Sequence, residues 1–256
     1  MFITDSSHLS YIPKRIVSLV PSQTELLSYL NLENSTVGIT KFCVHPAQWH
    51  LQKTIIGGTK NIDFKKINAL QPDLIIANKE ENVKGQIDML AEHFPVWLTD
   101  VNNLQEALKM IADIGVLTNK KISATALISN IQQAFTRFKP CTNIAAAYLI
   151  WQDPYMTIGG DTFINNMLKL CGLHNVFAHL NRYPIITLDM LKEQGCELLL
   201  LSSEPFPFKQ KHLDNLQLQL PDIKILLVNG EMFSWYGSRL NYAVEYFESL
   251  IKTIKP

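Results

Sequence analysis

The sequence predicts an α/β fold of two similar lobes with mostly parallel sheets, bridged by a long helix and enclosing a ligand cleft. Three observations predict it. Short apolar runs alternate with amphipathic segments along most of the chain; the stretch from Leu104 to about Phe138 carries no strand signal; and residues 62–80 align without a gap on residues 186–204 at a constant offset of 124. Runs that are apolar on both faces are what a parallel sheet covered on two sides requires.

The elements follow in order. RIVSLV (15–20) reads as a strand, and PSQTELLSYLNL after it as a helix, with Ser22 and Glu25 spaced as a capping box. TVGIT (36–40) is a second strand, DFKKINALQ (63–71) a helix and PDLIIAN (72–78) a third strand; GQIDMLAEHF (85–94) and PVWLTD (95–100) are the next helix and strand. Helix formers dominate from LQEALKMIADIG to Phe138 except near Gly115, which predicts a helix pair or one long broken helix closed by Pro140. NIAAAYLIW (143–151) restarts the alternation, and DTFINNMLKLCG (161–172) reads as a helix capped by Asp161 and closed by Gly172. CELLLLS (196–202), IKILLVN (223–229) and the helix RLNYAVEYFESLIKTI (239–254) complete the chain. The corresponding division is an N-terminal lobe 1–117, a connecting helix 118–140 and a C-terminal lobe 141–256.

Composition narrows the function. With 256 residues and 47% hydrophobic content, the chain can form a sizeable core. Lysine plus arginine (23) equals aspartate plus glutamate (23), so no net field draws nucleic acid or an anionic surface. Cys43, Cys141, Cys171 and Cys196 are scattered without a C-x-x-C pair and read as reduced, mostly buried thiols. The segment MFITDSSHLSYIPKRIV has neither the basic head nor the apolar run of a secretory leader, which reads as a cytoplasmic chain.

No G-x-G-x-x-G, Walker loop, G-x-S-x-G or H-E-x-x-H occurs, so no motif points to a nucleotide enzyme, elbow-type hydrolase or zinc protease. The paired glycines of GGTKN (57–61) and IGGD (158–161) read as tight turns. Ligands of open parallel sheets sit beyond the strand C-termini, which in the first half selects Pro21, Ser22, Gln23 and Thr24, then Lys41, Phe42, Cys43 and His45, then Asn78, Lys79 and Glu80. In the second half the same rule selects Trp151 and Tyr155, then Glu231, Met232, Phe233, Ser234, Trp235 and Tyr236, with Arg239 just beyond. Aromatics crowded into one loop read as a pocket wall that stacks on a flat or bulky ligand. Cys43 and His45 read as a buried thiol and a local hydrogen-bonding imidazole, with His45 also suited to one axial bond to a ligand that brings its own metal. Glu80 and Glu204, equivalent under the 124-residue offset, read either as solvated loop tips or as paired acids gripped by a two-fold partner.

RIVSLVPSQTELLSYL, GIT, IGGTKNIDFKKINALQPDLIIAN, the long helical stretch and FSWYGSRL together resemble the periplasmic binding proteins of the helical-backbone metal-receptor class, near the cobalamin-binding branch of ABC importers. The resemblance covers about Lys14 to Ile251. It implies two α/β lobes with a rigid helix between them and a ligand such as cobalamin, haem or a ferric siderophore in the cleft. It implies no catalytic residue, no resident cofactor or metal, a monomer, no nucleic acid, ABC permease subunits as partners, and a periplasmic or membrane-associated place. Phe42 stands where the cobalamin branch has a pocket tyrosine, and Glu231 to Trp235 where it has a ligand-contacting loop. The tryptophans of that branch are absent near Thr59 and Asn78, and Lys65 stands where a docking glutamate is common, leaving Glu80 or Glu204 for docking. The alternative is a cytoplasmic cofactor-binding protein or enzyme using the same cleft.

Overall fold

The structure, a computed structural model, describes residues 1–3, 5–6, 9–140 and 143–254. Its first half runs β1 (Phe2–Ile3), β2 (Ile16–Ser18), α1 (Pro21–Tyr29), β3 (Thr36–Ile39), α2 (Ala47–Gln52), β4 (Thr54–Ile55), α3 (Phe64–Leu70), β5 (Leu74–Asn78), α4 (Lys84–His93) and β6 (Val96–Thr99). Two helices follow, α5 (Leu104–Leu117) and α6 (Lys121–Arg137). The second half runs β7 (Ile144–Leu149), α7 (Phe163–Leu170), β8 (Leu173–Asn175), α8 (Leu188–Glu193), β9 (Leu198–Ser202), α9 (Gln210–Gln219), β10 (Lys224–Val228), α10 (Glu231–Ser234) and α11 (Leu240–Ile254). No helix among the described residues is long and apolar enough to cross a membrane.

The chain divides into two compact units. Unit 1 comprises residues 1–101, 105–132 and 236–241; unit 2 comprises 102–104, 133–235 and 242–256. Residues 118–140, read from sequence as a connecting helix, divide between the two units after Gln132, and the short segment 236–241 falls in unit 1 with the N-terminal half.

Unit 1 holds a parallel six-stranded sheet in the order β1-β6-β5-β2-β3-β4. Unit 2 holds a parallel four-stranded sheet in the order β10-β9-β7-β8. Within each unit one strand, β2 or β7, is flanked by the next strand on one side and a later one on the other. The four central strands of unit 1 therefore repeat the order of unit 2. The 124-residue offset lands β5 (Leu74–Asn78) on β9 (Leu198–Ser202) end to end, and both strands are buried at all five positions.

The cores follow from those patterns. In unit 1, Val17, Leu19, Ile56, Ile67, Ile75, Ala77, Ile87 and Leu90 pack together; in unit 2, Leu149, Phe177, Leu191, Leu199, Leu201, Leu216 and Ile225 do so. Cys43, Cys171 and Cys196 are free and buried as expected, while Cys141 lies outside the described residues. Gly57 is required by its turn: its φ is +101° and an added Cβ would lie 2.4 Å from the Asn61 carbonyl oxygen. Gly159 and Gly160 press against the carbonyls of Leu180 and Ala178, so both glycine pairs serve packing and turning.

Two expected caps differ. α1 begins with Pro21 at its first turn and no side-chain cap, so the Ser22–Glu25 box does not form; Pro21 presets the helical φ instead. α7 is capped by Thr162, whose hydroxyl accepts from the Asn165 amide at 3.2 Å, and not by Asp161. The Asp161 carboxylate accepts from the Arg182 amide at 2.6 Å.

Candidate functional site

In each unit the strand order reverses at one place, between β2 and β5 in unit 1 and between β7 and β9 in unit 2. The loops leaving the strand C-termini at such a reversal are the usual ligand position in open parallel sheets. In both units they carry buried polar groups, among them Asn78 and Asn82 in unit 1 and Ser202 in unit 2.

In unit 1, Asn78 ends β5, and its side-chain oxygen accepts from the amides of Glu80 at 2.8 Å and Glu81 at 3.1 Å, turning the loop. Asn82 then ties three segments together. Its amide nitrogen donates to the carbonyls of Leu19 and Thr59, and its oxygen accepts from the Asn78 amide at 2.9 Å. Gln23 is fully buried, donating to Thr99 Oγ1 at 2.6 Å, and the Thr99 hydroxyl donates in turn to the Ala77 carbonyl at 2.9 Å. Gln23 is thus a brace inside the unit, a correction to its selection as a ligand contact: solvent does not reach it. Thr24 also turns inward, to Ser18 Oγ at 2.8 Å and Cys43 Sγ at 3.1 Å. Burial pushes the Cys43 thiol up, with the Thr24 and Thr40 hydroxyls opposing.

Residues 236–241 complete this region of unit 1. Burial is the main cause that raises the Tyr236 phenol well above its ordinary value, followed by the charges of Glu81 and Glu80, while the nearby polar side chains of Gln23 and Ser22 oppose the rise. Gly237 has a φ of +118°, and an added Cβ would sit 3.2 Å from the Ser22 carbonyl oxygen. Arg239 grips Glu25 at two points, Nη2 to Oε1 at 2.5 Å and Nε to Oε2 at 3.2 Å, with side chains 13% and 18% exposed. Ser22 (5% exposed) and Arg239 are therefore engaged within the fold and do not stand open to a ligand.

In unit 2 the fixed point is Glu204. Ser202 Oγ accepts from the Tyr148 hydroxyl at 3.0 Å and donates to the Glu204 carbonyl at 2.6 Å. The Glu204 carboxylate in turn accepts from Ser234 Oγ at 2.5 Å and from the Trp235 indole at 2.8 Å. Gly230 is necessary here, since a Cβ would lie 2.4 Å from Ser202 Oγ and 2.6 Å from Glu204 Cγ. Glu204 thus orients Trp235, a role the sequence reading of an outward-facing docking acid did not contain. Glu80 is half-buried.

The FSWYGSRL loop is largely interior. Phe233 is fully buried against Tyr148 (5.4 Å between ring centroids) and Phe247 (4.9 Å), which makes it core and corrects its pocket-wall reading. Trp235 and Tyr236 are 7% and 5% exposed. Glu231, Met232 and Ser234 are half-buried on α10. Open aromatic surface lies elsewhere: Phe42 is 51% exposed in unit 1, and Trp151 is 41% exposed in unit 2. Trp151 leads an aromatic series, 5.7 Å from Phe206, which is 4.7 Å from Phe208 and 5.3 Å from His212. Tyr155 is half-buried and packs on the same core. His45 is half-buried; Lys79 is exposed and paired with Asp100 at 2.8 Å. Among the described residues no group of three or more His, Cys, Asp or Glu could hold a metal ion.

Sequence reasoning missed Asn82 and Thr99, and read Gly58 only as part of a tight turn. Asn82 repeats the asparagine of the strand end four residues on, a usable turn signal; the partnership of Gln23 with Thr99 spans 76 residues and leaves no local trace.

A family model described as periplasmic binding protein matches residues 16–218. The vitamin B12-binding protein of Pectobacterium carotovorum is 21% identical over 254 residues, covering 96% of this chain and 91% of that one. An uncharacterized ABC transporter substrate-binding lipoprotein of Bacillus subtilis, YvrC, is 27% identical over 212 residues, covering 72% and 67%. Among solved structures, the periplasmic vitamin B12 binding protein BtuF of Vibrio cholerae superposes with a TM-score of 0.81 at 20% identity, covering 95% of this chain and 99% of that one. The periplasmic heme binding protein HutB of the same organism gives 0.79 at 18%, covering 94% and 99%. The likeness establishes the α/β, two-lobed fold, and the matched span takes in most of both sheets and the polar loops at their strand ends. The chain belongs to the periplasmic binding protein family.

Proposed function

We propose that the protein is the substrate-binding component of an ABC importer and that its cargo is a metal chelate: a cobalamin-like corrinoid, haem or a ferric siderophore. The observation that carries this is the contrast in aromatic exposure. Phe42 and Trp151, each following a strand C-terminus, stay about half open, while Phe233, Trp235 and Tyr236 nearby in sequence to one another are closed. Exposed rings at a sheet's ligand end are surfaces that gain by being covered. The names of the relatives, which bind vitamin B12 and haem, support the choice of cargo.

The reading includes no catalytic step and no resident cofactor; the metal travels inside the cargo. The partners are the permease subunits of the importer, met by a monomer on the outer side of the cytoplasmic membrane, and nucleic acid plays no part. The test is titration of the purified protein with cyanocobalamin, haemin and a ferric hydroxamate siderophore, followed by calorimetry and by quenching of tryptophan fluorescence. Saturable binding of one of them, weakened about tenfold or more by Phe42→Ala or Trp151→Ala, is the expected result. Absence of binding by all three overturns the reading.

A further inference from the structure

The two glycines of GGTK have different reasons to be glycine. Gly57 needs its left-handed φ, whereas the φ of Gly58 lies outside that region, so its backbone would accept a side chain. The space is what is taken. A Cβ on Gly58 would meet Phe42 Cε2 at 3.2 Å, Lys41 Cε at 3.4 Å and Phe42 Cδ2 at 3.8 Å, and these are its three nearest neighbours. Both side chains thus converge on one buried, side-chain-free spot.

The backbone beneath them is fixed. The Lys41 amide donates to the Gly57 carbonyl at 2.8 Å, the Gly58 amide to the Asn61 carbonyl at 2.8 Å, and the Cys43 amide to the Thr40 carbonyl at 3.1 Å. The Phe42 amide donates to Thr40 Oγ1 at 3.3 Å. With the backbone held, the side-chain torsions of Lys41 and Phe42 are the freedom that remains, and the bare Gly58 leaves the space that both occupy. The result is a half-exposed ring with the Lys41 ammonium 5.1 Å from its centroid. Lys41 makes no ion pair among the described residues, unlike Lys79 with Asp100.

We propose that Gly58 is a specificity-determining seat that holds Phe42 and Lys41 as a joint grip, ring for ring and ammonium for acid, selecting chelates that carry an anionic arm beside a flat or bulky ring system. The inference rests on the chelate-binding reading and deepens it. Alanine at 58 adds one atom that flexible side-chain tips can yield to; valine adds two more and tips the ring off its seat.

The experiment uses the full chain with haemin, which bears two carboxylates, and haemin dimethyl ester, which bears none. Gly58→Val is expected to weaken haemin binding about tenfold, and adding Phe42→Ala to it to bring little further loss, since both remove the same contact. Lys41→Met is expected to weaken haemin several-fold and to leave the ester unchanged. Wild-type haemin affinity in Gly58→Val, full additivity with Phe42→Ala, or equal loss for haemin and ester in Lys41→Met overturns the proposal. A crystal structure of the Gly58→Val variant reads the seat without any ligand. A displaced Phe42 ring with no binding by the wild-type protein would refute the cargo reading and keep the seat, whereas an undisplaced ring refutes the seat.

Discussion

Replacing Arg239 by alanine removes one side of a bidentate ion pair whose partners lie 214 residues apart in sequence and together in unit 1. The cost can be worked from its setting. Two unit charges about 4 Å apart attract by about 4 kcal/mol at an effective dielectric of about 20, before desolvation is subtracted. Exposed pairs contribute about 0–1 kcal/mol, while removing one partner of a buried pair costs about 3–5 kcal/mol because the other charge is stranded. With side chains 13% and 18% exposed, this pair stands nearer the buried case, though water still reaches it. A loss of about 2–3 kcal/mol follows, or about 4–12 °C in Tm for a chain of this size. Differential scanning calorimetry of Arg239→Ala, Glu25→Ala and the double variant measures it, and the double should lose clearly less than the sum of the singles. Coupling indistinguishable from zero, or a Tm within about 1 °C of wild type for Arg239→Ala, would show that the pair contributes no more than a solvated surface contact.

Two further outcomes follow from the buried groups. Glu204→Ala leaves the Trp235 indole without its carboxylate acceptor and should cost about 1–3 kcal/mol with a changed near-ultraviolet dichroism, whereas Glu204→Gln, which keeps an acceptor oxygen, should lose less; equal losses would show that the hydrogen bond is not what matters. Burial pushes the Cys171 thiol up to about 12 and the Cys196 thiol up to about 11 from an ordinary value of 9.0. These are acids raised in the folded state, so the unfolded chain sheds their protons first: stability is held below about pH 9 and falls above it, by about 1.4 kcal/mol per pH unit for each thiol until the folded value is reached. Urea midpoints at pH 7, 9 and 10.5 read the slope, which should be shallower in Cys171→Ala, Cys196→Ala; an unchanged slope would assign the alkaline loss to other groups.

The sequence disclosed the long apolar strands because each is buried on both faces, leaving a continuous run of Leu, Ile, Val and Ala; β5 and β9 even carried their equivalence as a fixed offset. What it hid was short or weakly buried. β1 and β4 have two residues each, too few for a period to emerge, and α2 has only six. The candidate site was legible as a set of loops, since strand C-termini follow from the strands. Which residues face outward was not. Trp235 and Phe42 are both aromatics in loops, and only the partners tell them apart: a carboxylate at residue 204 draws one in, and a bare glycine at 58 lets the other lie half open. The capping signal at Ser22 misled because the helix starts one residue earlier, at Pro21, which places Val20 at the N-cap and Ser22 inside the first turn.

The membership of residues 236–241 in unit 1 has a consequence for how the protein can be made. A shortened gene stopping after Gln132 would encode the strands of that unit yet omit Tyr236, Gly237 and Arg239, and with them the guanidinium that Glu25 holds. During synthesis the sheet and core of unit 1 are made early, while its last contacts wait for nearly the whole message, and the final twenty or so residues supplied as a separate peptide are the direct way to restore them to a truncated form.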